Sequence, residues 1–387
     1  MVIKMTTLKL YDLDAYLSEF SATVVSCESR DNRYFVELDR TAFFPEAGGQ
    51  TADSGVIGDA AVLDVQIVNE EEIYHITDKP LTVGSEVECK INFPERFKKM
   101  QIHSGEHIVS GVMHSLFGLS NVGFHLGESE VTLDFNEVLT REQLDTAEKL
   151  ANEIIYKNVP IRCYYPSSDE LSLLEYRSKK ELEGAVRIVE IEGYDRCACC
   201  APHVAHTGEV GVIKLTHFEK LRGGTRITLL CASDAVNDYR EKYRNISEIS
   251  ALLCAKQNET AEAVQKLLND KAELNSRFVA LNKEYLALKA ESIEKSDEAY
   301  IMFTENMSIN DMRAFANLVI VKRPAVFAFS KTDKGYNYLC AGSNMKALLE
   351  TLSTLPGGGG GSDKMIQGSL TANEAQIKEI LSHYIDK

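Results

Sequence analysis

The chain changes its hydrophobic rhythm several times, and each change predicts a different kind of element. Over the first ninety or so residues, short β-prone runs at 22–25, 34–38, 61–68 and 72–76 alternate with polar or glycine-bearing turns. That spacing predicts a small β-barrel over residues 1–93. Residues 41–55, TAFFPEAGGQTADSG, interrupt it as a loop too rich in glycine and polar groups to be a hairpin turn alone. From 94 to 238, helical patterns at 98–117, 140–157 and 168–182 mix with strands at 131–135 and 187–191, an α+β arrangement.

Residues 239–297 read differently. From Thr225 through Arg323 there is neither glycine nor proline. Within that stretch Val264, Leu267, Lys271, Leu274, Phe278, Leu281, Tyr285 and Leu288 recur at alternating three- and four-residue steps. This is the seam of a coiled coil or a helical hairpin, with Lys271 as its one polar interruption. Residues 298–387 return to mixed α/β structure. Strands are expected at 318–321 and 325–329 and helices at 345–355 and 374–384, with a glycine-rich loop at the five glycines 357–361. The fold class is α+β.

Composition narrows the picture. With 44% hydrophobic and 26% charged residues over 387 positions, the chain has the makeup of a globular protein and excludes disorder. No apolar run approaches the ~20 residues of a membrane span, and acidic residues arrive before any signal-peptide core can form. A cytoplasmic protein with no membrane partner is expected. The net charge of −16 argues against a broad basic surface for nucleic acid, so any polyanion must be held locally. Of nine cysteines, six are scattered singly, which does not suit a disulfide framework; the other three crowd into Cys197, Cys199 and Cys200 and point to metal or redox chemistry.

Two motifs sharpen that. His103-Ser104-Gly105-Glu106-His107 places two imidazoles one helical turn apart, a spacing suited to a shared metal ion. Ninety residues on, Cys199-Cys200-Ala201-Pro202-His203 repeats the offset with a thiolate and an imidazole. Together His103, His107, Cys199 and His203 compose an N₃S set suited to Zn²⁺. Cys199 is the thiolate chosen by offset, with Cys197 and Cys200 as alternatives. The first motif also fits the H-x-x-E-H peptidase pattern, in which Glu106 is the general base, but that reading leaves Cys199 and His203 unexplained.

His103-x-x-x-His107 with Cys199-x-x-x-His203 and the following VAHTGEVG resembles the editing domain of alanyl-tRNA synthetases, and most closely the free-standing alanyl-tRNA editing proteins of the long AlaX type. The loop FPEAGGQ at 44–50, GFHLG at 123–127, VTLD at 131–134 and GGTRI at 223–227 look like family segments in the expected order. The Gly357–Gly361 run looks like the glycine-rich terminal domain of the synthetases, so the likeness spans nearly the whole chain. Ala201-Pro202 departs from the small residues usual between the second Cys and His.

The resemblance implies a zinc-dependent editing domain at 94–238, a coiled-coil linker at 239–297 and a glycine-rich tRNA-binding or dimerisation domain at 298–387. It implies trans-editing: hydrolysis of the ester of mischarged tRNA for alanine, serine being the natural target and glycine the second. The alternative is a zinc-stabilised tRNA-binding protein without activity. Thr41 and Gln50 would line the amino-acid pocket, with Glu106 a further candidate catalytic group. Arg96, Lys98 and Lys99 before the first motif, and Lys220, Arg222 and Arg226 after the second, are candidates for the tRNA phosphates. Gly358 and Gly359 would offer main-chain N–H groups to its backbone. A homodimer through the coiled coil or the terminal domain is expected.

Overall fold

A computed structural model describes residues 7–68, 72–127, 130–178 and 185–385. The chain divides into two compact units, Met1–Ile246 and Ser247–Lys387.

The first unit begins with β1 (Leu8–Lys9), β2 (Glu19–Arg30), β3 (Arg33–Leu38), β4 (Arg40–Thr41), β5 (Gly55–Ile57), β6 (Ala60–Val68), β7 (Glu72–Thr77) and β8 (Glu86–Ile91). Six of them close into an antiparallel barrel in the order β2-β3-β7-β6-β5-β8, while β1 and β4 pair in parallel beside it. Strand alternation drives the closure: Phe20, Ala22 and Val24 of β2 point inward and their neighbours face solvent. They join Val36, Leu38, Phe43, Phe44, Ile57, Val65, Ile73 and Ile91 in one core.

The helix α1 (Phe93–Phe117) follows, started by Pro94 in its first turn and ended by Gly118 in the left-handed conformation. Ile102 through Met113 are buried on every face. Two glycines make this possible. A Cβ at Gly105 would lie 2.6 Å from Cys231 Sγ, and one at Gly111 would lie 2.8 Å from the Tyr194 carbonyl.

Around α1 run β9 (Asn121–Leu126), β10 (Val131–Phe135), α2 (Arg141–Lys157), β11 (Ile161–Tyr164), α3 (Ser168–Leu173), β12 (Ile188–Ile191), β13 (Asp195–Ala198), β14 (Ile213–Leu221) and β15 (Gly224–Cys231). They form two antiparallel sheets, β14-β15-β10-β9 and β11-β12-β13. The helix expected at 168–182 stops at Leu173, and Arg177 instead pairs with Cys197 as an isolated bridge; residues 179–182 of that expectation lie outside the described residues.

The glycine-free stretch holds α4 (Ala232–Leu253) and α5 (Thr260–Glu291). Along α5 the side chains of Leu267, Leu274, Phe278, Leu281, Tyr285 and Leu288 are 56–67% exposed, while Leu286 and Ala290 on another face are buried.

The rest of the second unit comprises β16 (Tyr300–Glu305), α6 (Ile309–Val319), β17 (Val326–Thr332), β18 (Gly335–Ala341), α7 (Met345–Leu352), β19 (Gly357–Gly361), β20 (Met365–Leu370) and α8 (Glu374–Ile385). Its sheet runs β16-β17-β18-β20-β19. β17 alternates between two cores: Val326 and Ala328 meet the α6 side, Phe327 and Phe329 the α7 and α8 side.

Two expectations are corrected here. Residues 318–321 do not form a strand, because Leu318 and Val319 end α6, where Val319 packs with Met312 and Phe315. The five glycines are an edge strand and not a loop, laddered along β20 from Gly357–Leu370 to Gly361–Ile366. Glycine is needed there because a Cβ at Gly359 would collide with the Tyr338 hydroxyl. Among the described residues no helix is long and apolar enough to cross a membrane.

Candidate metal centre

Two segments far apart in sequence meet inside the first unit. α1 presents His103 and His107 one turn apart, their rings stacked with centroids 5.5 Å from each other. The loop after β13 brings Cys199 and His203, whose imidazole sits 4.9 and 4.8 Å, centroid to centroid, from those of His103 and His107. One ligand atom from each of the four residues lies within 4.8 Å of all the others. Cys199 Sγ is 3.5 Å from His103 Nε2 and is the half-buried member of the set.

Each imidazole is aimed by a partner on its outer nitrogen. His103 Nδ1 bonds Gln50 Oε1 at 3.0 Å, His107 Nδ1 bonds Asp195 Oδ2 at 3.1 Å, and His203 Nδ1 bonds Ser104 Oγ at 3.1 Å. Holding Nδ1 turns Nε2 toward the middle of the cluster, the arrangement of metal-binding histidines. Arg177 in turn grips Asp195 with two bonds of 2.7 and 2.8 Å. His203 Nε2 is fully buried and has no hydrogen-bond partner. Such a nitrogen is costly to bury unless something binds it, so the donor set fits a metal ion in both chemistry and orphaned valence.

The electrostatics favour deprotonation at Cys199 and His203. Burial opposes a charged Cys199, but the nearby imidazoles, His103 first, outweigh it and hold the thiol well below its usual range. Burial pushes His203 down to about 3, which leaves it neutral. His107 goes the other way: burial alone would lower it, and the charge of Glu106 with the bonds to Asp195 and the cysteines raises it well above an ordinary histidine. Burial would also raise Asp195, but its bonds from His107 and Arg177 keep it below the ordinary carboxylate value.

Gln50 reaches the cluster because its loop is pressed flat. Gly48 and Gly49 both adopt the left-handed conformation, and a Cβ at Gly49 would lie 2.6 Å from the Phe124 carbonyl. The Gln50 Nε2 group is buried without a partner. Thr41 lies elsewhere: its hydroxyl is 2.8 Å from His75 Nε2 and accepts the Phe43 N–H at 3.1 Å. Glu106 Oε1 accepts from Ser110 Oγ at 2.8 Å and Asn121 Nδ2 at 2.7 Å, and its other oxygen is 3.7 Å from His107 Nε2. Cys197 is buried beside His107 and Cys200 is exposed; neither joins the four-residue set.

Two of the basic residues expected at the tRNA are corrected. Arg96 is 1% exposed and is held by Asp53, bonding it through Nε at 2.8 and 2.9 Å and the Ala42 carbonyl at 2.6 Å. Lys99 is buried too, donating to the Ala52 carbonyl and pairing with Glu95. Both cations stitch α1 to the Gln50 loop and cannot reach a phosphate. Lys98 is half exposed and paired with Asp234, and Arg226 makes two bonds to Asp134. Lys220 and Arg222 are exposed at the turn between β14 and β15, and Gly358 and Gly359 are exposed on β19 in the second unit.

Sequence reading did not single out Asp195, Arg177, Asn121 or His75. Asp195 alone left a trace, four residues before Cys199 at the start of β13.

Residues 186–228, which include Cys199 and His203, match the threonyl and alanyl tRNA synthetase second additional domain. The alanyl-tRNA editing protein AlaX-L of Pyrococcus horikoshii is 28% identical, with 96% of each chain aligned. Aarsd1-A of Xenopus laevis, an alanyl-tRNA editing protein, is 30% identical over 79% of each chain. Aarsd1 of Bos taurus, of the same description, is 31% identical over 74% of this chain and 68% of its own. Likeness at that level, over the greater part of each chain, means that this chain belongs to the alanyl-tRNA editing protein family.

Proposed function

We propose that this chain is a trans-editing hydrolase that cleaves the ester of mischarged tRNA for alanine, with serine as the first target and glycine as the second. One observation carries the reading: His103, His107, Cys199 and His203 converge from two distant segments, with the buried His203 Nε2 and Gln50 Nε2 lacking partners. The relatives' names as alanyl-tRNA editing proteins support it. The N₃S set suits Zn²⁺, which when bound supplies Lewis acidity or holds the substrate.

The protein's own groups divide the remaining work. An aminoacyl ester is already activated, so placing it and a water molecule accounts for much of the rate. Gln50 Nε2 is available to donate to the substrate beside the cluster, while Gln50 Oε1 steadies His103. Glu106 is held rigidly by Ser110 and Asn121 as the candidate acid–base carboxylate. Thr41 serves the amino-acid side chain. Selection against alanine follows from polar groups that only a serine hydroxyl satisfies. Lys220, Arg222, Lys98 and Arg226, with the main chain at Gly358 and Gly359, hold the tRNA locally, in keeping with the net charge of −16. The donor set contains no carboxylate, which disfavours the H-x-x-E-H peptidase.

The exposed α5 seam is read as the homodimer contact. In a parallel pair Lys271 would stack on its own copy. An antiparallel register that sets Phe278 opposite Leu281 of the second copy brings Arg277 within two positions of Glu284 of that copy, an attractive pair.

The test is deacylation of seryl-tRNA and alanyl-tRNA for alanine at catalytic enzyme concentration. Rapid loss of serine with alanine spared is expected. Zinc and tRNA bound with no loss of either ester would sink the hydrolase and leave a binding protein.

A further inference from the structure

Each histidine of the cluster is aimed through its outer nitrogen, but a thiolate has no second atom by which to be held. Cys199 has to be placed through its main chain. Residues 199–205 lie between β13 and the 3₁₀ turn at Thr207–Val210, outside every strand and helix, so no ladder places it. Arg187 stands where the β12–β13 ladder ends, one step beyond the Ile188–Ala198 pair. Its carbonyl accepts the Cys199 N–H at 3.0 Å. Its side chain, only 5% exposed, turns back on the same loop. There Nη1 donates to the Cys199 carbonyl at 3.0 Å and to the Ala201 carbonyl at 2.9 Å. One residue thus grips the peptide units on both sides of Cys199.

The charge of that clamp is answered on its other edge. Arg187 Nε is 3.4 Å from Asp12 Oδ1, and Asp12 Oδ2 accepts the Tyr165 hydroxyl at 3.0 Å. Ser104 does the matching work at the far end of the loop, bonding His203 Nδ1 and accepting the Val204 N–H at 3.2 Å. Between them Ala201 is buried in the barrel core, and Cys199 packs against both cores of the unit.

We infer that Arg187 is the positioning residue of the thiolate ligand, setting Cys199 Sγ by clamping the main chain on both sides of it. This rests on the reading of the four-residue cluster as a metal centre. A ligand left free in an irregular loop has to be ordered when the ion binds, and ordering it beforehand removes that cost. The guanidinium suits the task because its donors lie on one rigid plane, which fixes two carbonyls while the charge stays opposite Asp12; a lysine ammonium keeps the charge but not the plane.

The test uses the full-length chain with Co²⁺ in place of Zn²⁺, reading the thiolate-to-cobalt charge-transfer band, and competition with a chelator, reading affinity. In Arg187→Met the band is expected to weaken and shift, and metal affinity to fall by about 10–100-fold. Arg187→Lys, which leaves Asp12 paired and so protects the fold, should melt close to wild type yet still bind metal more weakly. A folded Met variant with the wild-type band and affinity would make Arg187 a structural residue only and overturn the inference. A Lys variant indistinguishable from wild type would overturn it too, since charge alone would then suffice. A wild-type chain that binds neither Co²⁺ nor Zn²⁺ overturns the metal reading itself, before any variant is compared.

Discussion

Two helices of this protein break the rule of apolar inside and polar outside, in opposite directions. α1 buries His103, Ser104, Glu106, His107 and Ser110, while α5 exposes Leu267, Leu274, Phe278, Leu281 and Leu288. In α1 the buried polar groups are bonded to Gln50, Asp195, His203 and Asn121 until an orphaned His203 nitrogen is left at the centre. In α5 the exposed apolar groups share one face at a 3-4 spacing. The lesson is that a polar group inside and an apolar stripe outside are each an incomplete contact. The first calls for an ion, the second for another helix.

That comparison can be broken from either side. The largest effect is expected from Cys199→Ala or His203→Ala. Zinc should fall from about one ion per chain to well below it, and deacylation by more than the ~10–100-fold typical of outer partners. Full zinc retention in Cys199→Ala, by metal analysis, would move the thiolate to Cys197 or Cys200. Next comes Arg96→Met, which strands the buried Asp53 carboxylate and should cost about 3–5 kcal/mol in urea unfolding. Replacing both partners with apolar residues should recover much of that. Unchanged stability with weakened tRNA binding would return Arg96 to the nucleic-acid surface.

Asp195→Asn leaves the donor atoms in place but removes the charge that orients His107. Competition with a chelator should show metal affinity lower by about 10–100-fold. The smallest stability effect belongs to α5. On the proposed homodimer, Leu281→Glu should give a monomer by sedimentation while shifting unfolding by no more than about 0.5 kcal/mol, because the side chain is exposed within one chain. A large loss of stability would mean that the seam packs on its own chain.

Legibility followed the range of each interaction. Four of the six barrel strands, β2, β3, β6 and β7, lay open in the sequence with α1, α2 and α5 because their periods are local, whereas β5 and β8 were not read. The ligand pairs were legible for the same reason: a four-residue offset on a helix or tight loop is itself geometry. The helix after Ser168 was read too long, since Arg177 is drawn off to Asp195 and Cys197 by contacts that no local pattern records. Residues 318–321 failed as a strand because a short apolar run looks alike in a buried helix end and a buried strand. Five glycines carry no side-chain pattern, so only the ladder to β20 shows them to be a strand. Arg96 and Lys99 looked like surface cations until Asp53, Glu95 and two carbonyls were found around them.

By itself, then, the sequence determined the chemistry available: a paired-imidazole half-site and a thiolate–imidazole half-site, a glycine loop bearing Gln50, a heptad seam and an acidic chain with few candidate grips for a polyanion. Tertiary structure alone decided which of these meet. It brought the half-sites to one point, assigned Asp195, Ser104 and Gln50 to the outer nitrogens, set His75 against Thr41, and withdrew Arg96 and Lys99 from solvent. The physical reason is that spacing specifies only neighbours along a helix or strand, whereas burial and hydrogen-bond partners depend on which distant segments the packed core forces together.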